Sequence, residues 1–541
     1  MSNLWTKEHR KGFPLYVDLF EDLPLIYEKE FTKWNKQLDE SQWKHVFLGN
    51  EYEPVKSNET AHQLNVIAIE SFQFKDFRKS YELFNQALRF IDKKSPQMGV
   101  IFLKRAQCFF NMNMYEQCSA DAYLARESNF PNNFLSDLDE YHNNCFEFIK
   151  QNERKAQTIK LSIDADKEYP CMANVVKIIK NDIHGMEVVA TSDIDIGQTI
   201  LVEEAFTSIS NSFDTTTCFT CQKTCANFIP CERCVDVMFC SIECMGGSEI
   251  HKISCGEVYH RMPSYTKFVL QSILKAVVTF PSIDLLIKFV KAKILMQTVD
   301  MVMDAKMKNY ELFFELTTSN QELPILLIHQ VYTTLMKMTL IADLFSTKTK
   351  QRFLMHLVAH HAQVLLCNSY GGFEKEQNQQ ITATMTNVAS FFEHSCTPNL
   401  MQFSIGNRTV LITNQFIKAG DHLYIDYWPE DEGGNNESTE SRAILLQKNF
   451  NVSCKCRKCN PNKKALIIAD PYMVSHPAYR WVLDYKKHMG SDTSALMKQQ
   501  CINFLKEYKH ASWSKEKDYI IKTYTECVLN EFDGTNPIHF K

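Results

Sequence analysis

The sequence predicts an α+β multidomain protein, a β-fold interrupted twice and flanked on both sides by helices. Three observations carry that reading. β-Branched runs divided by turn residues occupy about 172–210 and return at about 400–427. A cysteine-rich segment and a long helically periodic segment stand between them, and helical periodicity fills the chain before and after.

At 541 residues the chain has room for two to four domains, each with its own core. It is 45% hydrophobic and 23% charged with only 16 Gly and 16 Pro, a globular composition without long disordered tracts. A net charge of −5 offers no global attraction to nucleic acid or to anionic membrane. "MSNLWTKEHRKGF" holds no apolar run, so no secretory signal is expected. "LPILLIHQVYTTLMKMTLIADLF" is interrupted by Gln330 and Lys337 and is helically periodic, which predicts a buried amphipathic helix rather than a membrane span. In the intracellular setting this implies, the clustered ones among 19 cysteines point to metal or catalysis rather than disulfides.

Residues 1–57 read as helical. From about 58 to 150, "FKDFRKSYELFNQALRF" and "NMNMYEQCSADAYLARESNFP" superimpose with a shift of 38, placing Phe77 on Tyr115, Ser80 on Cys118 and Ala87 on Ala125. Pro96 and Pro131 close the two units. Small residues at the helix crossing, an aromatic after the turn and a closing Pro resemble tetratricopeptide (TPR) repeats. "NVVKIIK", "MEVVATSDI" and "QTILVEEAFTSIS" then predict three short strands, with turns at Asn181-Asp182 and Gly197. "LMQFSIGNRTVLITNQFI" predicts a hairpin turning at Gly406-Asn407, and "HLYIDY" a further strand. The last 75 residues return to helical periodicity.

Metal-ligand residue types fall at Cys218, Cys221, Cys231, Cys234, Cys240, Cys244, His251 and Cys255. Each close pair can chelate one ion, and eight ligands suit two tetrahedral zinc ions. A segment this short, with few large apolar side chains, needs that binding energy to fold. The spacing resembles a MYND finger, whose interleaved ligation implies Cys218, Cys221, Cys240 and Cys244 on one ion and Cys231, Cys234, His251 and Cys255 on the other. Cys225 fits no ligand slot. "NVSCKCRKCN" supplies Cys454, Cys456 and Cys459, one ligand short of a tetrahedral site, and Cys396 is the candidate for the fourth.

"HGMEVVATSDIDIGQTILVEEAF", the finger, a helical insert, "EHSCTPN", "YIDY" and "CKCRKC" resemble, in order and spacing, the SET-and-MYND (SMYD) lysine methyltransferases. The match covers about 170–460 and, with TPR-like repeats in front, is most like the TPR-bearing fourth branch of that family. The resemblance divides the chain into an N-terminal helical segment (1–57), TPR-like repeats (58–150), a first SET part (170–217), the MYND finger (218–255), a helical insert (256–366), the catalytic SET part (367–450), a post-SET zinc segment (451–462) and a C-terminal helical region (463–541).

The family implies transfer of a methyl group from S-adenosylmethionine (SAM) to a lysine of a histone or non-histone protein. The reacting amine has to be neutral although free lysine has a pKa of about 10.4, so the site must desolvate and align it. By the resemblance Tyr427 is the catalytic tyrosine. Gly185, Met186 and Glu187 form the cofactor turn, Asn368 and His394 lie near the cofactor, and Phe450 is an aromatic wall. Pro398 and Asn399 are structural. Three positions depart from the family pattern: Glu187 replaces a Gly, Phe450 and Val452 replace a Tyr and Phe pair, and Glu393 replaces an Asn. An ionised carboxylate only accepts hydrogen bonds, where an amide also donates. Glu393 can still accept from the cofactor's ammonium, and the expectation is a site that keeps SAM.

Three zinc ions and SAM are thus the expected cofactors. A protein substrate and peptide partners held by the finger and the TPR-like region are expected, with chromatin co-repressors or chaperones as candidates. Direct nucleic-acid binding and a membrane are not expected, since the finger lacks a basic recognition helix. Family members occupy cytoplasm and nucleus. The alternative is a non-catalytic adaptor that uses the SET fold as a scaffold.

Overall fold

The computed structural model describes residues 55–128, 135–151, 159–181, 185–209, 217–295, 297–318, 325–370, 383–427, 438–450, 452–460, 469–486 and 494–533. Most of the expected segment 1–57, Pro131, Asp182 and residues 461–462 lie outside the described residues.

Five helices open the described chain: α1 (Asn58–Gln73), α2 (Phe77–Phe90), α3 (Gln97–Asn111), α4 (Tyr115–Glu127) and α5 (Leu135–Gln151). Ser57 caps α1 by accepting from the Thr60 amide, and Asp76 caps α2 by accepting from the Lys79 amide. The 38-residue offset persists in the backbone. Lys75 and Asn113, the turn residues of the two hairpins, both adopt the left-handed region at φ 61° and 58°. Ser80, Cys118, Ala87 and Ala125 are all fully buried, as small residues at helix crossings should be. Pro96 stands between the two hairpins, at the N-cap position of α3.

Arg105 ties these helices to the finger. Its guanidinium donates to both carboxylate oxygens of Asp121 (2.6 and 2.7 Å), to Asn85 and to the carbonyl of Phe228 (3.0 Å), while Asn85 donates to Ala226 O. Both members of the ion pair are 0% exposed. Removing one partner strands a buried charge, so Asp121→Ala should destabilise the protein by about 3–5 kcal/mol, read as a lowered helical melting temperature. An unchanged melting curve would show that the pair is idle.

The β-structure is a set of small sheets. β1 (Val176–Asn181) and β2 (Gly185–Ala190) form an antiparallel hairpin. β3 (Thr199–Glu204) pairs with β11 (Arg408–Thr413), which pairs with β10 (Leu400–Ile405). β4 (Thr207–Ile209), β7 (Ser369–Tyr370) and β8 (Ala383–Met385) form a third sheet. In the finger, β5 (Ile229–Pro230) and β6 (Met238–Phe239) precede α6 (Ile242–Gly247) and α7 (Glu249–Ser254). β9 (Glu393–His394) and β12 (Tyr424–Ile425) run parallel. The hairpin turns at Gly406, φ +59°, as its sequence predicts. Gly is required there twice over, because a Cβ would stand 2.4 Å from the carbonyl oxygen of Cys221. The Asn407 amide donates to that same oxygen at 2.8 Å, so the hairpin tip rests on the finger.

Between finger and active segment lie α8 (Ser264–Thr279), α9 (Ile283–Ile294), α10 (Ala305–Glu315), α11 (Ile325–Lys337), α12 (Thr339–Leu344) and α13 (Lys348–Asn368). The single helix expected over the apolar run is therefore two, broken at Met338, whose ψ of 117° is extended. No described helix is long and apolar enough to cross a membrane. After α14 (Thr439–Phe450), the described residues include α15 (Pro471–Ser475), α16 (Pro477–Lys486), α17 (Ser494–Glu507) and α18 (Lys515–Asp533). The period-2 alternation of β11 serves two cores: Leu411 joins the large core shared with α8 and α13, while Val410 and Ile412 join Val482, Phe504 and Ile520 of the C-terminal helices.

Candidate functional site

Ligand-type side chains gather in three sets of four, each with its ligand atoms within 4.8 Å of one another: Cys218, Cys221, Cys240 and Cys244; Cys231, Cys234, His251 and Cys255; and Cys396, Cys454, Cys456 and Cys459. The sulfur separations are 3.6 Å for Cys221–Cys240, 3.5 Å for Cys240–Cys244, 3.7 Å for Cys231–Cys255 and 3.6 Å for Cys396–Cys459. Two thiolates about 2.3 Å from a tetrahedral zinc stand about 3.8 Å apart, so the residues fit that ion. Cys225 stands outside all three sets.

The third set is wired to the candidate active site. Pairing of β9 with β12 places Tyr424 against Glu393 and Ile425 against His394. Asn399 holds the strands together, its Nδ2 donating to His422 O (2.8 Å) and its Oδ1 accepting from the Tyr424 amide (2.7 Å). The ring of His394 accepts from the Tyr427 amide at Nδ1 (3.0 Å), which leaves the proton on Nε2, 3.2 Å from Cys396 Sγ. Burial pushes this imidazole down to about 4, in keeping with a neutral ring. A neutral ring that bonds a cysteine of the third set on one side and Tyr427 on the other orients both.

Tyr427 donates its hydroxyl hydrogen to Phe392 O at 2.7 Å. Its ring lies 5.3 Å from those of His394 and Phe450, and burial raises its phenol well above the usual range, with Glu393 adding to the rise. Tyr427 therefore stays a neutral donor. Asn368, at the end of α13, spends its amide hydrogens on Thr317 O (2.7 Å) and Val364 O (2.8 Å), which leaves Oδ1 to accept. Gly185 and Met186 begin β2, opposite Asn181 and Lys180.

Glu187 and Glu393, two of the three departures noted in the sequence, meet in space. Glu187 is buried in β2 against Ile179. The chain at 421–423 runs beside β2, with His422 bridged to Val189 and the Leu423 amide donating to Val188 O. His422 Nδ1 consequently lies 3.5 Å from Glu187 Oε2 and 3.9 Å from Glu393 Oε2. The phenol of Tyr424 is raised by burial first and then by the charges of Glu393 and Glu187. Sequence reasoning did not single out His422, because three segments far apart in the chain are needed to give it a role.

Glu203 was also not foreseen. It is buried in β3 and accepts from the backbone amides of Asn387, Val388 and Ala389, each at 2.8 Å. Those bonds shape the turn that leads into Glu393, although burial pushes the carboxyl up to about 7 against them. Glu203→Ala would orphan three buried N–H groups at about 1 kcal/mol or more each. Hydrogen exchange at 387–389 should accelerate strongly in that variant, and unchanged protection would refute the role.

Residues 185–428 match the family model of the SET domain. A potential protein lysine methyltransferase of Saccharomyces cerevisiae is 32% identical over 71 residues, 13% of this chain and 18% of that protein. A SET and MYND domain-containing protein of Dictyostelium discoideum is 21% identical over 341 residues, 56% of this chain and 85% of that protein. A crystal structure of the SET domain of LSMT bound to lysine and AdoHcy covers 72% of this chain and 89% of that one, at 12% identity and a TM-score of 0.25, too distant a likeness to carry an argument. The chain thus contains a SET domain and has SET-and-MYND relatives.

Proposed function

We propose that this chain is a SAM-dependent protein-lysine N-methyltransferase of the SET-and-MYND kind, in its TPR-bearing branch, with Tyr427 as the catalytic residue. The observation that carries the reading is the parallel pairing of β9 and β12, beside which the Tyr427 hydroxyl bonds Phe392 O and its ring packs 5.3 Å from those of His394 and Phe450. Three zinc ions in the three ligand sets would brace the fold, the third through Cys396 and the positioning residue His394.

The site suits a cation. SAM carries a sulfonium and an ammonium, and the carboxylates of Glu187 and Glu393 converge from separate strands. When bound, SAM supplies an electrophilic methyl group. Glu393, with Asn368 Oδ1 and the Gly185–Met186 backbone, would hold its amino-acid end. Tyr427, neutral and anchored, would orient the lysine amine, and the aromatic walls would keep water from it and favour the developing positive charge. Protein substrates, peptide partners docked on the finger and the repeats, and a cytoplasmic and nuclear location belong to the same proposal.

Glu393→Gln, read by calorimetric titration, should weaken SAM binding by about 1 kcal/mol, roughly fivefold, because a charge-assisted bond is lost. Tighter binding by Glu393→Asn, from an unaltered protein that scarcely binds SAM, would instead favour the non-catalytic adaptor.

A further inference from the structure

We infer that Glu187, Glu393 and His422 form a divalent-cation site that overlaps the place of the cofactor's amino-acid end, so that metal and SAM exclude one another. The second half rests on the SAM-binding reading above; the first half does not.

The ligand atoms of the three side chains lie within 4.8 Å of one another. Two O or N ligands about 2.1 Å from a tetrahedral metal stand about 3.4 Å apart. The His422–Glu187 separation of 3.5 Å matches that edge, and the 3.9 Å to Glu393 is a slightly wider angle about the same point. Both distances exceed a hydrogen bond and lie within reach of an ion pair, a looser contact that a bound metal would replace. His422 Nδ1, a ring atom of a side chain that is 38% exposed, adds a second sign. It is shielded from solvent with no hydrogen-bond partner among the described residues, although it points between two carboxylates. A shielded ring nitrogen without a hydrogen bond is costly unless something occupies its lone pair. The backbone fixes the geometry: β2 carries Glu187, the bridge at Val189 places His422, and the β9–β12 pair places Glu393.

Two carboxylates and one imidazole form a harder, oxygen-rich set suited to manganese or iron, whereas the thiolate sets select zinc. With one protein nitrogen and two oxygens, further positions stay open for water or for a ligand carboxylate. The cation would neutralise the carboxylates that otherwise attract the cofactor's ammonium. Metal availability would thereby set the affinity for SAM.

Manganese(II) is the probe, because it has little affinity for thiolates. Electron paramagnetic resonance of zinc-loaded, cofactor-free protein should report one saturable manganese(II) per chain. His422→Ala should weaken that binding at least tenfold while leaving the zinc content unchanged, and Glu187→Gln should do the same if the histidine variant fails to fold. Added manganese(II) should raise the apparent dissociation constant for SAM in proportion to its concentration. Absence of saturable binding, binding indifferent to both substitutions, or SAM affinity indifferent to manganese(II) would each overturn the proposal. A protein that binds manganese(II) but never SAM would refute the overlap and the methyltransferase reading while showing the metal ligands correct, a distinct outcome because the metal titration contains no cofactor.

Discussion

Tyr427→Phe should lose methyl transfer by about 10²- to 10³-fold, the scale on which a single preorganised group acts at a reacting centre. SAM affinity should stay within a few-fold, since in the proposed mechanism the hydroxyl serves the reacting atoms and not cofactor binding. The structure adds a structural cost. The hydroxyl donates to Phe392 O, and losing that bond in a buried site costs about 1 kcal/mol. The two effects separate cleanly, because the first appears in turnover and the second in thermal stability. A variant as active as the unaltered protein would mean that another group orients the amine.

The second large effect concerns metal. The purified chain should carry three zinc ions, and Cys456→Ser should carry two, with the segment 452–460 released from Cys396. The loss should reach the active site. Cys396 accepts from His394, His394 accepts from the Tyr427 amide, and Arg457 lies over the ring of Trp513 at 5.2 Å, so the cluster joins the β9–β12 pair to the C-terminal helices. SAM binding should therefore weaken together with the zinc count. Metal analysis giving two ions in the unaltered chain would remove the assignment of Cys396. Loss of the finger's zinc should act elsewhere, loosening α2–α4 through Arg105 and Asn85.

What the sequence made legible is what local spacing encodes. Paired cysteines two or three residues apart are readable because a chelate needs short spans. Gly406-Asn407 is readable because only a few residues tolerate positive φ. The offset between repeats shows in the small residues Ser80, Cys118, Ala87 and Ala125. The fourth ligand Cys396 was reached by counting coordination. What stayed hidden depends on partners far away in the chain. Arg105 looks like any helical arginine until Asp121 and the finger carbonyl of Phe228 meet it. Glu203 reads as strand polarity until the amides of 387–389 turn towards it. The break at Met338 carries no Pro or Gly to announce it. Glu187 and Glu393 looked like two separate losses, and only the fold shows that they face one histidine.

The central claim is tested most directly by incubating the zinc-loaded chain with SAM bearing an isotope-labelled methyl group and a lysine-containing protein library, then mapping the label by mass spectrometry. The account predicts label on lysine side chains, formed with S-adenosylhomocysteine in equal amount and lost in Tyr427→Phe. Label that is absent from every lysine, from a chain shown to be folded and zinc-loaded, would contradict it.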